Sequence, residues 1–471
     1  MVALKAKKKP NFTNGPMFFR ILTFTIPIIL TSIIQQLYGT ADQIVLGQFS
    51  SNANAIGAIG STSSMTNLVL NVLLGCSVGA SVLVAQGIGA KNDDDISKTV
   101  HTAITFAAIG GAVITVTGLI IARPILVALN TKPEMLEDAV LYSRIIFLGA
   151  IGSAIYNFGA AILRSTGDSR TPLVVLTSTG LVNVILNVVF VAMLNMGIAG
   201  VAIATITAKY ISAAVVIIKL TRASDATRLI FKRLGIDKRI FGKMMKISIP
   251  SAIQSSMFTL SSLFVTGAAN VFTPAEVSGK AIAANIENYV SVLISAFYQA
   301  ALTFVGQNYG AGKFDRVKRA AFYVIAWVTI MTVLSSAVEI IFAREIAYIF
   351  IDGTHPEAEI IADAAARRMY IMLPLMFVQG FMTTSTGYLR AIGYSVPPMI
   401  AAIVINCGIR IMWITFIFPL PGFTSFLGLY SIYPMTWILC SAINLTIILS
   451  VSKKAFAKKA AELEAKAENA N

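Results

Sequence analysis

The sequence predicts an all-α integral membrane protein: twelve transmembrane helices in two six-helix bundles, related by pseudo-two-fold symmetry, with a central cleft. Three observations carry this. The 471 residues are 56% hydrophobic and only 13% charged, about half the charge of a soluble domain. Apolar runs long enough to cross a bilayer, roughly 20 residues each, recur between polar or Pro/Gly punctuation. Finally, stretches of the first half return in the second at nearly one spacing.

The runs fall near 21–46, 57–84, 99–122, 138–163, 171–194 and 197–220, then 245–272, 279–307, 319–343, 363–389, 396–419 and 429–452. Helices are expected because lipid offers backbone groups no hydrogen-bonding partner. The alternating ten-residue pattern of a barrel is absent. The start, "MVALKAKKKPNFTNGP", has no short apolar core with a cleavage site and does not read as a cleaved signal.

Charge sets the orientation. Net charge is +15, from 37 Lys and Arg against 22 Asp and Glu. Of the 37, 28 lie in the N-terminus, the even-to-odd loops and the C-terminus, which places both termini in the cytoplasm. Seven fall on the opposite side: Arg123, Lys132, Arg144, Lys280, Arg344, Arg367 and Arg368. Lys209 and Arg410 remain inside spans. The excess of bases is thus explained by membrane topology, and no nucleic-acid partner is expected.

The repeat pairs "FTIPIILTSI" (24–33) with "ISIPSAIQSS" (247–256), "AQGIGAKN" (85–92) with "GQNYGAGK" (306–313), and "LRSTGDSRTP" (163–172) with "LRAIGYSVPP" (389–398), at offsets of 221 to 226 residues. Six spans per copy is even, so both copies keep one orientation. The expected organisation is a cytoplasmic N-terminal segment 1–20, a lobe 21–220, a cytoplasmic linker 221–244, a second lobe 245–452 and a cytoplasmic tail 453–471. The tail reads as a basic, then mixed-charge helix on the membrane surface, or as a solvated, frayed one. Pro27 and Pro250, early in paired helices, are candidate kinks.

Enzyme chemistry finds little support. Cys76, Cys407 and Cys440 sit in apolar runs without metal or disulfide spacing. His101 and His355 sit near loops, which disfavours a histidine metal centre or a Ser–His pair. "GIGAKN" and "NYGAGK" lack the full phosphate-loop pattern and read as helix-end turns. "NDDD" at 92–95 reads as a solvated turn. No enzyme activity and no cofactor are expected.

Asp42, in "QQLYGTADQIVLGQF", is the only charge between Arg20 and Lys91. An Asp at mid-bilayer costs about 2.5–3.5 kcal/mol on insertion scales. It therefore either reaches headgroup water or faces an internal wet crevice and takes a cation or proton. Asn183 and Asn187, four apart, share a helix face, and their amide oxygens suit a hard cation such as Na⁺; interhelical packing is the alternative reading. Thr205 is a weaker candidate. Tyr38, one turn before Asp42, lines the same cleft or packs in the core. In the second half, Glu287 and Arg410 are cavity candidates and a reasonable ion pair, since a buried Arg without a partner is costly. Glu339 looks interfacial. Lys209 either snorkels inward or neutralises a cavity charge. Arg164 and Arg390, at helix ends before Gly and Pro, read as interface anchors and not as substrate ligands.

"IPIILTSIIQQLYGTADQIVLGQF", "AQGIGAKN", "LRSTGDSRTP" and "CGIRIMWI" (407–414) resemble the multidrug and toxic compound extrusion (MATE) transporters, in particular the bacterial branch with its DinF- and NorM-like members. The likeness runs from about Pro16 to Ser452. It implies a multi-pass, cation-coupled antiporter of the bacterial inner (plasma) membrane, expected as a monomer, that exchanges Na⁺ or H⁺ for amphipathic, often cationic organic compounds by alternating access. It implies a coupling site at Asp42, Asn183 and Thr205, with Asp42 and Asn183 as Na⁺ ligands. Several relatives carry Asp where this chain has Asn187. A related flippase for lipid-linked saccharides is the nearest alternative; it should carry a cluster of bases, and only Arg410 and Lys209 fall inside the assigned spans. A membrane-embedded enzyme is a more distant one.

Overall fold

A computed structural model describes residues 11–49, 55–129, 131–351 and 356–468; His355 and the ends of the two terminal segments lie outside these. The described residues are helical with connecting turns. They form two compact units, the first built on Ile26–Ala252 and the second on Ile253–Asn471 together with Phe12–Thr25.

In the first unit run α1 (Phe18–Phe49), α2 (Ala55–Gly89), α3 (Asp93–Ala128), α4 (Pro133–Leu148), α5 (Ala150–Ser165), α6 (Arg170–Asn187) and α7 (Gly197–Thr221). α6 continues as a π-helical stretch, Val188–Met193. Several starts are encoded locally. Asn92 accepts the Asp95 N–H, and Asp93, Asp94 and Asp95 fill the first turn of α3, where carboxylates meet the positive end of the helix dipole. That cap starts the helix two turns before the apolar run begins. α4 and α5 meet at a 46° bend, at Gly149.

The second unit contains the latter half of α8 (Lys238–Ala268), from Ile253 on, then α9 (Pro274–Gly310), α10 (Phe314–Ile341), α11 (Ala343–Tyr348), α12 (Ala358–Met372), α13 (Met376–Ala391), α14 (Val396–Ala402), α15 (Arg410–Met412), α16 (Phe426–Tyr430) and α17 (Ile432–Glu468). Two π-helical stretches, Ile403–Ile409 and Trp413–Ile417, flank α15. Thr273 and Glu276 form a reciprocal capping box at the start of α9, with Pro274 in its first turn.

Each of the twelve apolar runs coincides with a helical stretch. Among the described residues nine helices are long and apolar enough to cross a membrane, ten if α4 and α5 count as one bent span. α8 and the α12–α13 stretch fall short because they carry more polar residues. Ile109, Val113, Val116 and Ile120 recur on one face of α3 and are 51–68% exposed, which is where lipid is expected.

The repeated motifs adopt repeated geometry. Gly167 and Gly393, both at left-handed φ, end their helices alike. The N–H of Gly167 donates to Arg164 O and that of Asp168 to Leu163 O; the N–H of Gly393 donates to Arg390 O and that of Tyr394 to Leu389 O. These are Schellman turns. "GIGAKN" and "NYGAGK" close the same way, with Lys91 at φ 51° and Gly312 at φ 70° in the left-handed position.

The first segment of each half belongs to the other unit. Within the second unit, Phe12 stacks on Phe304 at 4.0 Å, and Trp327 Nε1 donates to Phe18 O at 2.8 Å. Within the first, Ser248 Oγ donates to Cys76 O at 2.6 Å and Met244 joins the core around Phe158 and Ile162. The changes of unit, after Thr25 and Ala252, fall within three residues of Pro27 and Pro250.

The 221–244 segment is fastened along α3. His101 Nε2 accepts the Ile230 N–H at 3.0 Å, Thr105 Oγ1 accepts from Gly235 N, and Thr102 Oγ1 accepts from Asp237 N. Asp237 in turn accepts the Ile240 N–H at 2.9 Å, which holds its carboxyl below the usual carboxylate range. The tail is helical: α17 runs unbroken from Ile432 to Glu468. Phe456 stacks on Phe314 at 4.7 Å, and Tyr309 Oη donates to Ala455 O at 3.2 Å, so apolar contact continues the helix past the apolar run.

Candidate functional site

The first unit brings Asp42, Asn183, Asn187 and Thr205 together. Asn187 Nδ2 donates to Asp42 Oδ1 at 2.5 Å and Thr205 Oγ1 donates to Asp42 Oδ2 at 3.2 Å. Turning the Asn183 amide lets its NH₂ donate to Asp42 Oδ1 at 3.0 Å while its oxygen accepts the Thr205 N–H at 3.3 Å; amide orientation is assigned from such partners. The α6 helical spacing puts both Asn side chains on one face, and both are buried. The Asn187 oxygen is buried with no hydrogen-bond partner among the described residues. A single carboxylate thus accepts from two amide NH₂ groups and a hydroxyl, with the Asn187 oxygen beside them; oxygens of these kinds suit a hard monovalent cation. No cluster of three His, Cys, Asp or Glu suited to a metal occurs among the described residues.

Lys209, one turn after Thr205, interacts electrostatically with Asp42. It is half-buried and makes no hydrogen bond or ion pair among the described residues. Tyr38 does not join the cluster. Its hydroxyl donates to Leu176 O at 2.8 Å, and its ring lies against Gly180, where a Cβ would collide with it.

The second unit holds a cavity of about 790 Å³, within the range of small-molecule sites. α9 presents Lys280, Ala284, Glu287, Ser291, Ser295 and Tyr298 to it. These steps of three and four keep one helix face along about 27 Å. α12 and α13 answer with Arg368, Gln379 and Arg390, and Arg410 completes the polar lining.

Glu287 does not pair with Arg410, contrary to the sequence reading. It is held by Arg368, whose Nε donates to Oε1 at 2.9 Å and Nη2 to Oε2 at 2.8 Å. Hydropathy puts Arg368 near a helix end because the apolar run starts near 363; α12 actually begins at Ala358, which sets Arg368 almost three turns in. Arg410 instead donates to Thr436 Oγ1 and Asn406 Oδ1. Arg390, read as an anchor, also lines the cavity, donating to Tyr298 Oη and Gln254 Oε1. With Lys280, the cavity holds four bases, more than the two in-span bases that the sequence suggested. Glu339, two residues before the end of α10, is buried, and its Oε2 has no hydrogen-bond partner among the described residues. The signal that would have found these residues was the polar stripe on α9.

The fold is that of a multi-span helical membrane transporter. The MatE family model matches residues 27–189 and again 248–415, and the chain belongs to this family. It is 24% identical over 460 residues to the "Probable multidrug resistance protein YoeA" of Bacillus subtilis, covering 95% of this chain and 96% of that protein. It is 25% identical over 387 residues to the "Probable multidrug resistance protein NorM" of Thermotoga maritima, covering 81% of each. A solved structure described as the outward-facing conformation of a multidrug resistance MATE family transporter superposes with a TM-score of 0.83 at 20% identity, over 98% of this chain and 99% of that one.

Proposed function

We propose that this chain is a cation-coupled antiporter that exports amphipathic small organic molecules by alternating access, with Asp42 taking the coupling Na⁺ or H⁺. The observation that carries this reading is the Asp42 cluster: a lone carboxylate in lipid-embedded sequence, hydrogen-bonded by Asn187 and Thr205, beside an Asn187 oxygen with no hydrogen-bond partner among the described residues. A structural acid would not require an idle amide oxygen next to it, whereas an arriving cation would satisfy both groups. Thr205 Oγ1 supplies a further oxygen, and Asn183 would supply its own by turning its amide from the Thr205 N–H. The relatives' designation as multidrug resistance proteins supports export of small molecules.

The bias of Lys and Arg supports cytoplasmic termini and an inner (plasma) membrane location. Entry of one charge then supplies about 2.3 kcal/mol per 100 mV. Coupling requires that ion and substrate favour different states of the protein.

The test is transport in proteoliposomes with Na⁺ and pH gradients imposed separately. Wild type should move substrate against its gradient with one of the two ions, and Asp42→Asn should lose that drive while still binding substrate. Undiminished gradient-driven flux in the variant would remove Asp42 from coupling.

A further inference from the structure

The two units differ in charge at equivalent places. Asn183 and Asn187 return as Asn406 and Arg410, each 223 residues on, beside the π-helical stretches of both copies. The same offset carries Asp42 to Val265, which lines the second-unit cavity. The position of the acid has become apolar and that of one amide has become a base.

The consequence is a cationic cavity. Lys280, Arg368, Arg390 and Arg410 face one lining carboxylate, Glu287, and Arg368 binds both oxygens of that carboxylate. Glu339 feels the charge of Glu287 but is not part of the lining. Lys280, Arg390 and Arg410 have no ion pair among the described residues, though they are only 7%, 5% and 3% exposed. Their partners are neutral: Thr266 O for Lys280, Tyr298 and Gln254 for Arg390, Asn406 and Thr436 for Arg410. Arg390 Nε has no hydrogen-bond partner among the described residues. Buried bases without counter-charge are costly unless an anion joins them.

An organic cation would find the opposite of what it needs. Aromatic faces attract cations, but one face of Tyr430, of Tyr433 and of Tyr298 is already covered by Arg368, Arg410 and Arg390 at 4.7, 4.2 and 5.6 Å. Glu287, the one lining carboxylate among the described residues, is spent on Arg368. What remains available is positive charge beside aromatic and Met surface.

We propose that the second-unit cavity recognises organic anions: aromatic molecules bearing a phosphate, sulfonate or carboxylate, the acid group held among Lys280, Arg390 and Arg410 and the ring against Trp437 and the neighbouring methionines. This names the substrate class and rests on the reading of the chain as a small-molecule exporter.

Three ligands with one ring test the charge preference: 1-naphthyl phosphate, 1-naphthol and 1-naphthylmethylammonium. Binding is measured by equilibrium dialysis to the full chain in phosphatidylcholine nanodiscs, without any ion gradient. The phosphate should bind at least tenfold tighter than the ammonium. Lys280→Gln and Arg410→Gln should each weaken phosphate binding tenfold or more and leave naphthol unchanged; Lys280, which among the described residues donates to one carbonyl, Thr266 O, at 3.4 Å, serves if Arg410→Gln fails to fold. Equal or tighter binding of the ammonium, or unaltered phosphate affinity in the variants, overturns the proposal. Displacement of the phosphate by phosphatidylglycerol added to the nanodiscs also overturns it, by assigning the bases to a lipid headgroup. Because dialysis needs no coupling ion, gradient-driven flux left undiminished by Asp42→Asn, with this preference intact, counts against the Asp42 mechanism alone.

Discussion

Arg368 grips Glu287 through two parallel hydrogen bonds of 2.9 and 2.8 Å, while its Nη1 donates to Lys280 O and its guanidinium lies over Tyr430. The pair is almost wholly buried, so its two members depend on one another. Glu287→Gln leaves Arg368 charged and without a counter-ion, a loss of about 3–5 kcal/mol. Thermal unfolding in detergent should show a clear fall in Tm, with part of it restored in Glu287→Gln/Arg368→Gln. Equal additive losses in the two single variants would mean that the pair is not coupled.

Asn187→Asp would place a second carboxylate against Asp42. Two such groups share a proton or a cation far more readily than both stay bare. The variant should therefore be less stable than wild type at high pH without Na⁺, and regain stability as pH falls or Na⁺ is added. The sign follows from the folded state binding more protons than the unfolded one. A melting temperature indifferent to both ions would show that the two side chains do not share a site.

Gly180→Ala tests the contact with Tyr38. A Cβ at 180 enters the Tyr38 ring, and overpacking of this kind costs about 1–3 kcal/mol. The ring must move off α6 and its hydroxyl must release Leu176 O. Tyr38→Ala in the same background should recover stability, and failure to recover would place the strain elsewhere.

His101 tests the attachment of the linker. His101→Ala leaves the Ile230 N–H without an acceptor, worth about 1–3 kcal/mol for a buried donor. Limited trypsin digestion should cut faster at Arg228, Lys232 and Arg233 than in wild type. An unchanged cleavage rate would mean that the Thr102 and Thr105 contacts suffice.

Much of this architecture was legible in sequence because lipid imposes one solution on the backbone. Every apolar run became helix, and the isolation of Asp42 drew attention to the residue that sits among Asn183, Asn187 and Thr205. Their assembly came from family likeness, since no spacing rule joins residues 42, 187 and 205. What escaped was the base-rich lining of the second unit. Arg368 and Arg390 sit where amphipathic helices extend beyond their apolar cores, so hydropathy assigned them to the membrane edge. Tyr38 could not be placed either, because the contact that fixes it is an absence: the missing side chain of Gly180.

Phe12 N donates to Gln307 Oε1, a residue 295 positions later in the chain. At synthesis rates of about 5–20 residues per second, the earliest described segment waits roughly 15–60 s for its partners to leave the ribosome. Until α9 and α10 are made, Phe12 and Phe18 lack the Phe304 and Trp327 rings they pack against. Membrane insertion of the first half therefore proceeds with its leading aromatic residues unsheltered, and final closure of the second unit is a late, post-insertion event.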